Sequence, residues 1–159
     1  WFPDERSFAF MSNRDGDYDI YIGYLDGSPP QQITNNSVYD GTSAVSPDGS
    51  SIAYYSNSGG NPDIYIYDLD SGSITQLTTT GARDAEPVFS PDGEWIAFES
   101  NRGGSYDIWV IRPDGSDLHQ VTSHPANQQV PVFSHDGRWL LYQSDQHGSY
   151  DIFRSPWNP

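Results

Sequence analysis

The dipeptide Asp-Ile stands at Asp19-Ile20, Asp63-Ile64, Asp107-Ile108 and Asp151-Ile152, each copy 44 residues after the one before. The stretch SPDG begins at Ser46 and Ser90, returns as SHDG at Ser134 and stands as FPDE at Phe2, on the same spacing. Ser12, Ser56, Ser100 and Ser144 mark a third position of the period. Between Val45–Val88 and Phe89–Val132, 18 of 44 residues are identical. Such a period restricts the chain to stacked copies of one small unit, none of which buries its apolar faces alone.

One copy reads as four short strands. Glu86 to Ser90 (EPVFS) forms strand a. The turn Ser90 to Gly93 has serine, proline and glycine where a type I turn favours them. Trp95 to Ser100 (WIAFES) forms strand b, with Ile96 and Phe98 on one face. The loop NRGGSY leads to strand c, Asp107 to Arg112, and PDGS turns the chain into strand d, Leu118 to Ser123. Four antiparallel strands per roughly 40–50 residues, in tandem, describe the blades of a β-propeller. The expected fold is all-β, a partial or open propeller of about 3.6 repeats. Residues 1–159 form one propeller segment, with blades near 1–37, 38–81, 82–125 and 126–159. The first lacks most of strand a and the last lacks strand d. Stacked hairpins or a β-helix are the alternatives, but β-helix coils are usually much shorter.

Composition agrees with strands and turns: 14% aromatic residues, 15 glycines and 12 prolines. The net charge is −15, with seven arginines and no lysine. Such a surface repels nucleic acid and anionic lipid, and neither is expected as a partner. No run of about 18 apolar residues occurs, so no membrane insertion is expected, and no signal peptide is visible. The absence of cysteine removes disulfides, zinc thiolates and a thiol nucleophile. Of 18 aspartates, 13 fall on repeated positions, so the acidity belongs largely to the framework.

The motifs resemble the TolB-like propeller repeat, a relative of the WD-repeat blade. They stand here as Asp84 to Pro87 (DAEP), Ser90 to Gly93 (SPDG), Ile96 to Phe98 (IAF), Ser100 to Gly104 (SNRGG), Asp107 to Val110 (DIWV) and Val121-Thr122. The resemblance covers the whole chain. It implies a scaffold, commonly six-bladed, in periplasmic or secreted proteins, hence an extracytoplasmic location. Such propellers also accompany the catalytic domain of prolyl oligopeptidase-like enzymes, but a fold hosts many functions.

Six blades of 44 residues would need 264, and the two ends of this chain do not complement one another in strands. The first reading is a window from a longer array. The second is a chain that completes its blades in an assembly, since unpaired edges invite pairing. A closed four-bladed ring comes third.

The a–b and c–d turns share one face of a propeller, and the b–c and d–a loops share the other. Loops that differ between copies are the better binding candidates, because the framework does not dictate them. On this ground Arg14, Asp15, Asp17, Tyr39, Arg83, Arg102 and His147 are candidates for binding a protein partner or another copy of the chain. At the channel entrance the repeat places Asp40, Asp84 and Gln128, oxygen donors that suit calcium if they converge. The competing reading has them bonding loop N–H groups. NRDGDYDIY (Asn13 to Tyr21) alternates three aspartates, but only Asp19 recurs in the other copies, and an EF-hand would want glycine at Ile20 and glutamate at Asp26. Asp15 and Asp17 therefore remain as ligand candidates on one variable loop. Asn35-Asn36-Ser37 matches the N-glycosylation acceptor, at Asn35. No G-x-S-x-G elbow or H-E-x-x-H helix occurs, and the four histidines fall at four different repeat positions. The expectation is a non-enzymatic scaffold. The alternatives are the propeller part of a hydrolase or carbohydrate-active protein, and a calcium-binding propeller.

Overall fold

The computed structural model describes residues 1–158, and its regular structure is entirely strand. The first sheet holds β1 (Ser7–Ser12), β2 (Asp19–Tyr24) and β3 (Gln31–Gln32). The second holds β4 (Asp40–Val45), β5 (Ser51–Ser56), β6 (Asp63–Asp68) and β7 (Ile74–Gln76). The third holds β8 (Asp84–Phe89), β9 (Ile96–Ser100), β10 (Asp107–Ile111) and β11 (His119–Gln120). The fourth holds β12 (Gln128–Phe133), β13 (Trp139–Ser144) and β14 (Asp151–Pro156). Every pairing is antiparallel between strands consecutive in sequence, so each sheet is a meander. β4, β8 and β12, the strands a, lie against their counterparts in adjacent sheets and form the inner edge of the arc.

The repeated turn is built by its own side chains. Ser46 Oγ donates to Asp48 Oδ1 at 2.6 Å and accepts the N–H of Ser51 at 2.9 Å. Ser134, Asp136 and Trp139 repeat both bonds at 2.6 and 3.0 Å. The fourth turn residue is left-handed, with φ of 75°, 74° and 67° at Gly49, Gly93 and Gly137. Glycine takes that conformation without a Cβ penalty.

The repeated aspartate ties strand c to strand d. Thr78 Oγ1 donates to Asp63 Oδ1 at 3.2 Å and accepts the N–H of Ile64 at 2.9 Å. Thr34 clasps Asp19 and Ile20 in the same way, and Thr122 clasps Asp107 and Ile108. These three aspartates are buried, and burial holds each carboxyl above its ordinary pKa against the bonds from threonine. The clasp also corrects the expected length of strand d. β11 has two residues, not six, because Val121 and Thr122 both turn their N–H groups to the Ile108 carbonyl.

Strand a departs from the expectation as well. β8 starts at Asp84, not Glu86, and its register on β9 shifts between Ala85 and Val88. The same bulge occurs between Gly41 and Ser43 and between Gln129 and Val132. The extra residues Thr42, Glu86 and Val130 have φ of 20°, 55° and 54°. Pro87 and Pro131 follow two of them and disfavour right-handed helical backbone there.

Sheets join through three apolar layers. Ile20 and Ile22 pack on Ile52, Tyr54 and Tyr65. Ala53 and Ile64 pack on Phe89, Ile96 and Phe98. Ala97, Ile108 and Val110 pack on Phe133, Leu140 and Trp157. Each large apolar side chain contributes about 1.5–3 kcal/mol when fully buried, so these layers are what hold the arc together.

Candidate functional site

The b–c loops (13–18, 57–62, 101–106, 145–150) and d–a loops (33–39, 77–83, 121–127) lie at one end of the strands. Their roots are pinned by the repeated serine. Ser56, Ser100 and Ser144 accept N–H bonds from residues two positions on, at 3.2 to 3.3 Å. The loop residues are thus carried on fixed stems, and what they present depends on the positions that vary.

Tyr39 and Arg83 occupy equivalent places and both contact Tyr55. Tyr39 stacks on Tyr55 with centroids 5.8 Å apart and leans on Tyr18 at 5.1 Å. Its hydroxyl donates to the Met11 sulfur at 3.7 Å. The Arg83 guanidinium lies 5.6 Å from the Tyr55 ring and 6.0 Å from the Tyr106 ring, and it donates to the carboxylate of Glu99. Glu99 is buried, and its second oxygen accepts the N–H of Val130 in the next sheet at 3.2 Å. Thr42 donates to Glu86 across the arc at 3.3 Å. Burial, then the charge of Glu99, holds the Glu86 carboxyl above its ordinary pKa. The result is a belt of tyrosines around one arginine, spanning three sheets beside the bulges of strand a.

Tyr18, Tyr55, Tyr106 and Glu99 were not among the residues singled out from sequence. Tyr55 and Glu99 share a repeat position with Met11 and Gln143, four different residues beside an invariant serine. That variation was the available signal.

The other candidates divide. Arg102 is a brace: it donates to Asp84 at 2.7 Å and to Ser100 at 2.8 Å, and lies over Trp109 at 4.7 Å. Arg14 folds back over Tyr21 at 4.6 Å and Phe10 at 5.2 Å. His147 is exposed, edge-on to Phe153 at 5.5 Å. Asn35 is exposed on its d–a loop.

Asp40, Asp84 and Gln128 are fully buried at the start of strand a. Asp40 accepts from Asn36 at 2.6 Å, Asp84 from Arg102, and Gln128 donates to the Ala126 carbonyl. Each keeps one buried oxygen with no hydrogen-bond partner. Arg102 already supplies the positive charge that a cation would bring to Asp84. The carboxylates that do gather are Asp15, Asp17 and Asp19, each offering an oxygen within 4.8 Å of the others. Gln32 donates to both Asp15 and Asp19, while Asp17 Oδ2 is buried without a partner.

Four radially arranged meanders, joined face to face by apolar layers, define an open β-propeller with a tyrosine-lined loop face. The model of the TolB beta propeller domain matches residues 1–88 and 84–159. The chain belongs to the TolB beta propeller domain family. It is similar in structure to a protein described as a TolB from Agrobacterium tumefaciens, with TM-score 0.85 and 32% identity over 96% of this chain. It is also similar to TolB from Acinetobacter baumannii, with TM-score 0.79 and 24% identity over 96% of this chain. The chain spans 57% of the first of these proteins and 39% of the second. A puromycin hydrolase shares the fold at 14% identity and TM-score 0.76, over 96% of this chain and 26% of its own. No curated protein matches. No helix among the described residues is long and apolar enough to cross a membrane.

Proposed function

We propose that this chain is a non-enzymatic, extracytoplasmic scaffold that binds a protein partner on its loop face. The observation that carries the reading is the group of Tyr18, Tyr39, Arg83 and Tyr106 on the loop face, held together by the buried Tyr55 beneath them. Tyrosine and arginine dominate binding energy at protein interfaces, because each offers a wide apolar surface with a polar tip. Membership of the TolB propeller family supports the location. The test is affinity capture from an extracytoplasmic extract with the wild type, a Tyr39→Ala/Tyr106→Ala variant and a Pro47→Ala variant on the opposite face. The reading expects a partner kept by the last and lost by the double variant. Equal capture by all three would remove it. Turnover of ester, peptide or glycoside substrates by the purified chain would favour the hydrolase or carbohydrate-active alternative.

A second reading, calcium binding, rests on Asp15, Asp17 and Asp19, with the buried, partnerless Asp17 Oδ2 among them. Calcium takes carboxylate oxygens at flexible geometry. Melting with calcium and with chelator tests it. Identical midpoints remove it, and a shift that survives Asp15→Asn/Asp17→Asn moves the ion to Asp40, Asp84 and Gln128.

A further inference from the structure

Two repeat positions face the gaps between neighbouring sheets at the turn end of the strands. One stands at the start of strand b and holds Ser7, Ser51, Trp95 and Trp139. The other follows strand c and holds Leu25, Leu69, Pro113 and Trp157. The gap between the third and fourth sheets is closed by Trp95 from one and Trp157 from the other, with ring centroids 5.9 Å apart. Trp157 also stands edge-on to Phe133 at 5.2 Å. Between the first and second sheets, Leu69 packs against the apolar layer. Between the second and third sheets the same two places hold only Ser51 and Pro113, and a cavity of about 410 Å³ remains. It is lined by Ile66 and Phe89, the counterparts of Val110 and Phe133. Both sheets that bound it have all four strands.

The mouth of the cavity is acidic. Asp48 and Asp92 both line it and both are exposed. Each uses Oδ1 within its own turn, Asp48 toward Ser46 and Ser50, Asp92 toward Ser90 and Glu94. The bond from Ser46 holds the Asp48 carboxyl below its ordinary pKa, and the bond from Ser90 does the same for Asp92. Both are therefore ionised at neutral pH. Arg112, whose charge also acts on Asp92, is paired with Glu94 at 2.9 Å and Asp117 at 3.4 Å.

We propose that this cavity binds a small aromatic amine, its ring on Phe89 and its ammonium on the carboxylates of Asp48 and Asp92. The ring takes the place that the indole of Trp157 holds on Phe133 one gap further on. The ammonium supplies the charge-assisted hydrogen bonds that the two carboxylates can accept. The volume lies within the range of small-ligand sites, about 300–1,000 Å³, which join an apolar lining to a few polar groups. The cavity lies at the opposite end of the strands from the loop face and uses neither Arg83 nor any tyrosine, so its failure leaves the loop-face reading untouched.

Isothermal titration of tryptamine into the purified chain tests this, in about 0.15 M salt to screen diffuse attraction to the acidic surface. One saturable site is expected. Ser51→Trp puts into this gap the residue that closes the next one, and is expected to abolish binding. If that variant melts early, Pro113→Trp closes the gap from the other sheet. Tryptophol, the same ring with a hydroxyl in place of the ammonium, is expected to bind the wild type at least about tenfold more weakly, since it lacks the charged hydrogen bonds. That comparison needs no variant. Absence of saturable tryptamine binding overturns the proposal. So does unchanged binding by a folded Ser51→Trp or Pro113→Trp, or tryptophol binding as tightly as tryptamine.

Discussion

The hydroxyl of Thr78 sits 3.2 Å from Asp63 Oδ1 and donates to it while accepting the Ile64 N–H at 2.9 Å. One side chain thereby satisfies a buried carboxylate and a buried amide at once. Thr78→Val keeps the shape and removes both bonds. It is expected to cost about 2–3 kcal/mol, because buried groups left without partners bear their desolvation in full. Urea midpoints at constant m-value measure this, and a loss near zero would show that the clasp is dispensable.

The aspartates of the clasp and of the turn respond to pH with opposite sign. Burial raises the Asp63 pKa above 3.8, so the folded state binds more protons. Its favourable contribution is present below the unfolded pKa and lost as pH rises through the raised value. The Ser46 hydroxyl and the Ser50 N–H lower the Asp48 pKa below 3.8. That contribution is present above the unfolded pKa and lost as pH falls through the lowered value. Relative to wild type, Asp63→Asn is therefore expected to gain stability between pH 3 and 7, and Asp48→Asn to lose it. Denaturant titrations across that range check both signs.

Glu5 holds the place of the turn glycine. Its φ is 56°, where Gly49 has 75°. A side chain in left-handed backbone costs roughly 1–2 kcal/mol, part of which glycine's greater freedom in the unfolded chain offsets. Glu5→Gly is expected to stabilise the fold by about 1 kcal/mol, seen as a higher melting temperature. An unchanged or lower midpoint would contradict it.

Arg83 neutralises Glu99, whose side chain is only 3% exposed. Arg83→Met strands a buried carboxylate and is expected to cost about 3 kcal/mol. Adding Glu99→Gln removes the charge, keeps an acceptor for Val130, and is expected to recover most of the loss. Additive effects in this double-mutant cycle would refute the coupling.

The 44-residue period made much of the fold legible. It carries the strand order, the serine–aspartate turns and the structural character of Asp19, Asp63 and Asp107, because each of those is a contact within one repeat. The lengths of strands a and d were not legible. Propensity does not show that Thr122 ends its strand by reaching back to Asp107, or that Glu86 leaves the extended region. The candidate site was partly legible. Tyr39 and Arg83 stood out as variation on a fixed frame, but Arg102 stood out equally and is a brace for Asp84.

By itself, then, the sequence determined a stack of four-stranded units and which residues each unit spends on holding its own turns together. Only the tertiary structure decided that Tyr39 and Arg83 meet on the same buried Tyr55, and that Arg83 neutralises the buried Glu99. The reason is geometric. Hydrogen-bonded turns act over a few residues and follow from local spacing, whereas contacts between sheets depend on how one blade is rotated against the next and on bulges that reverse the side-chain alternation.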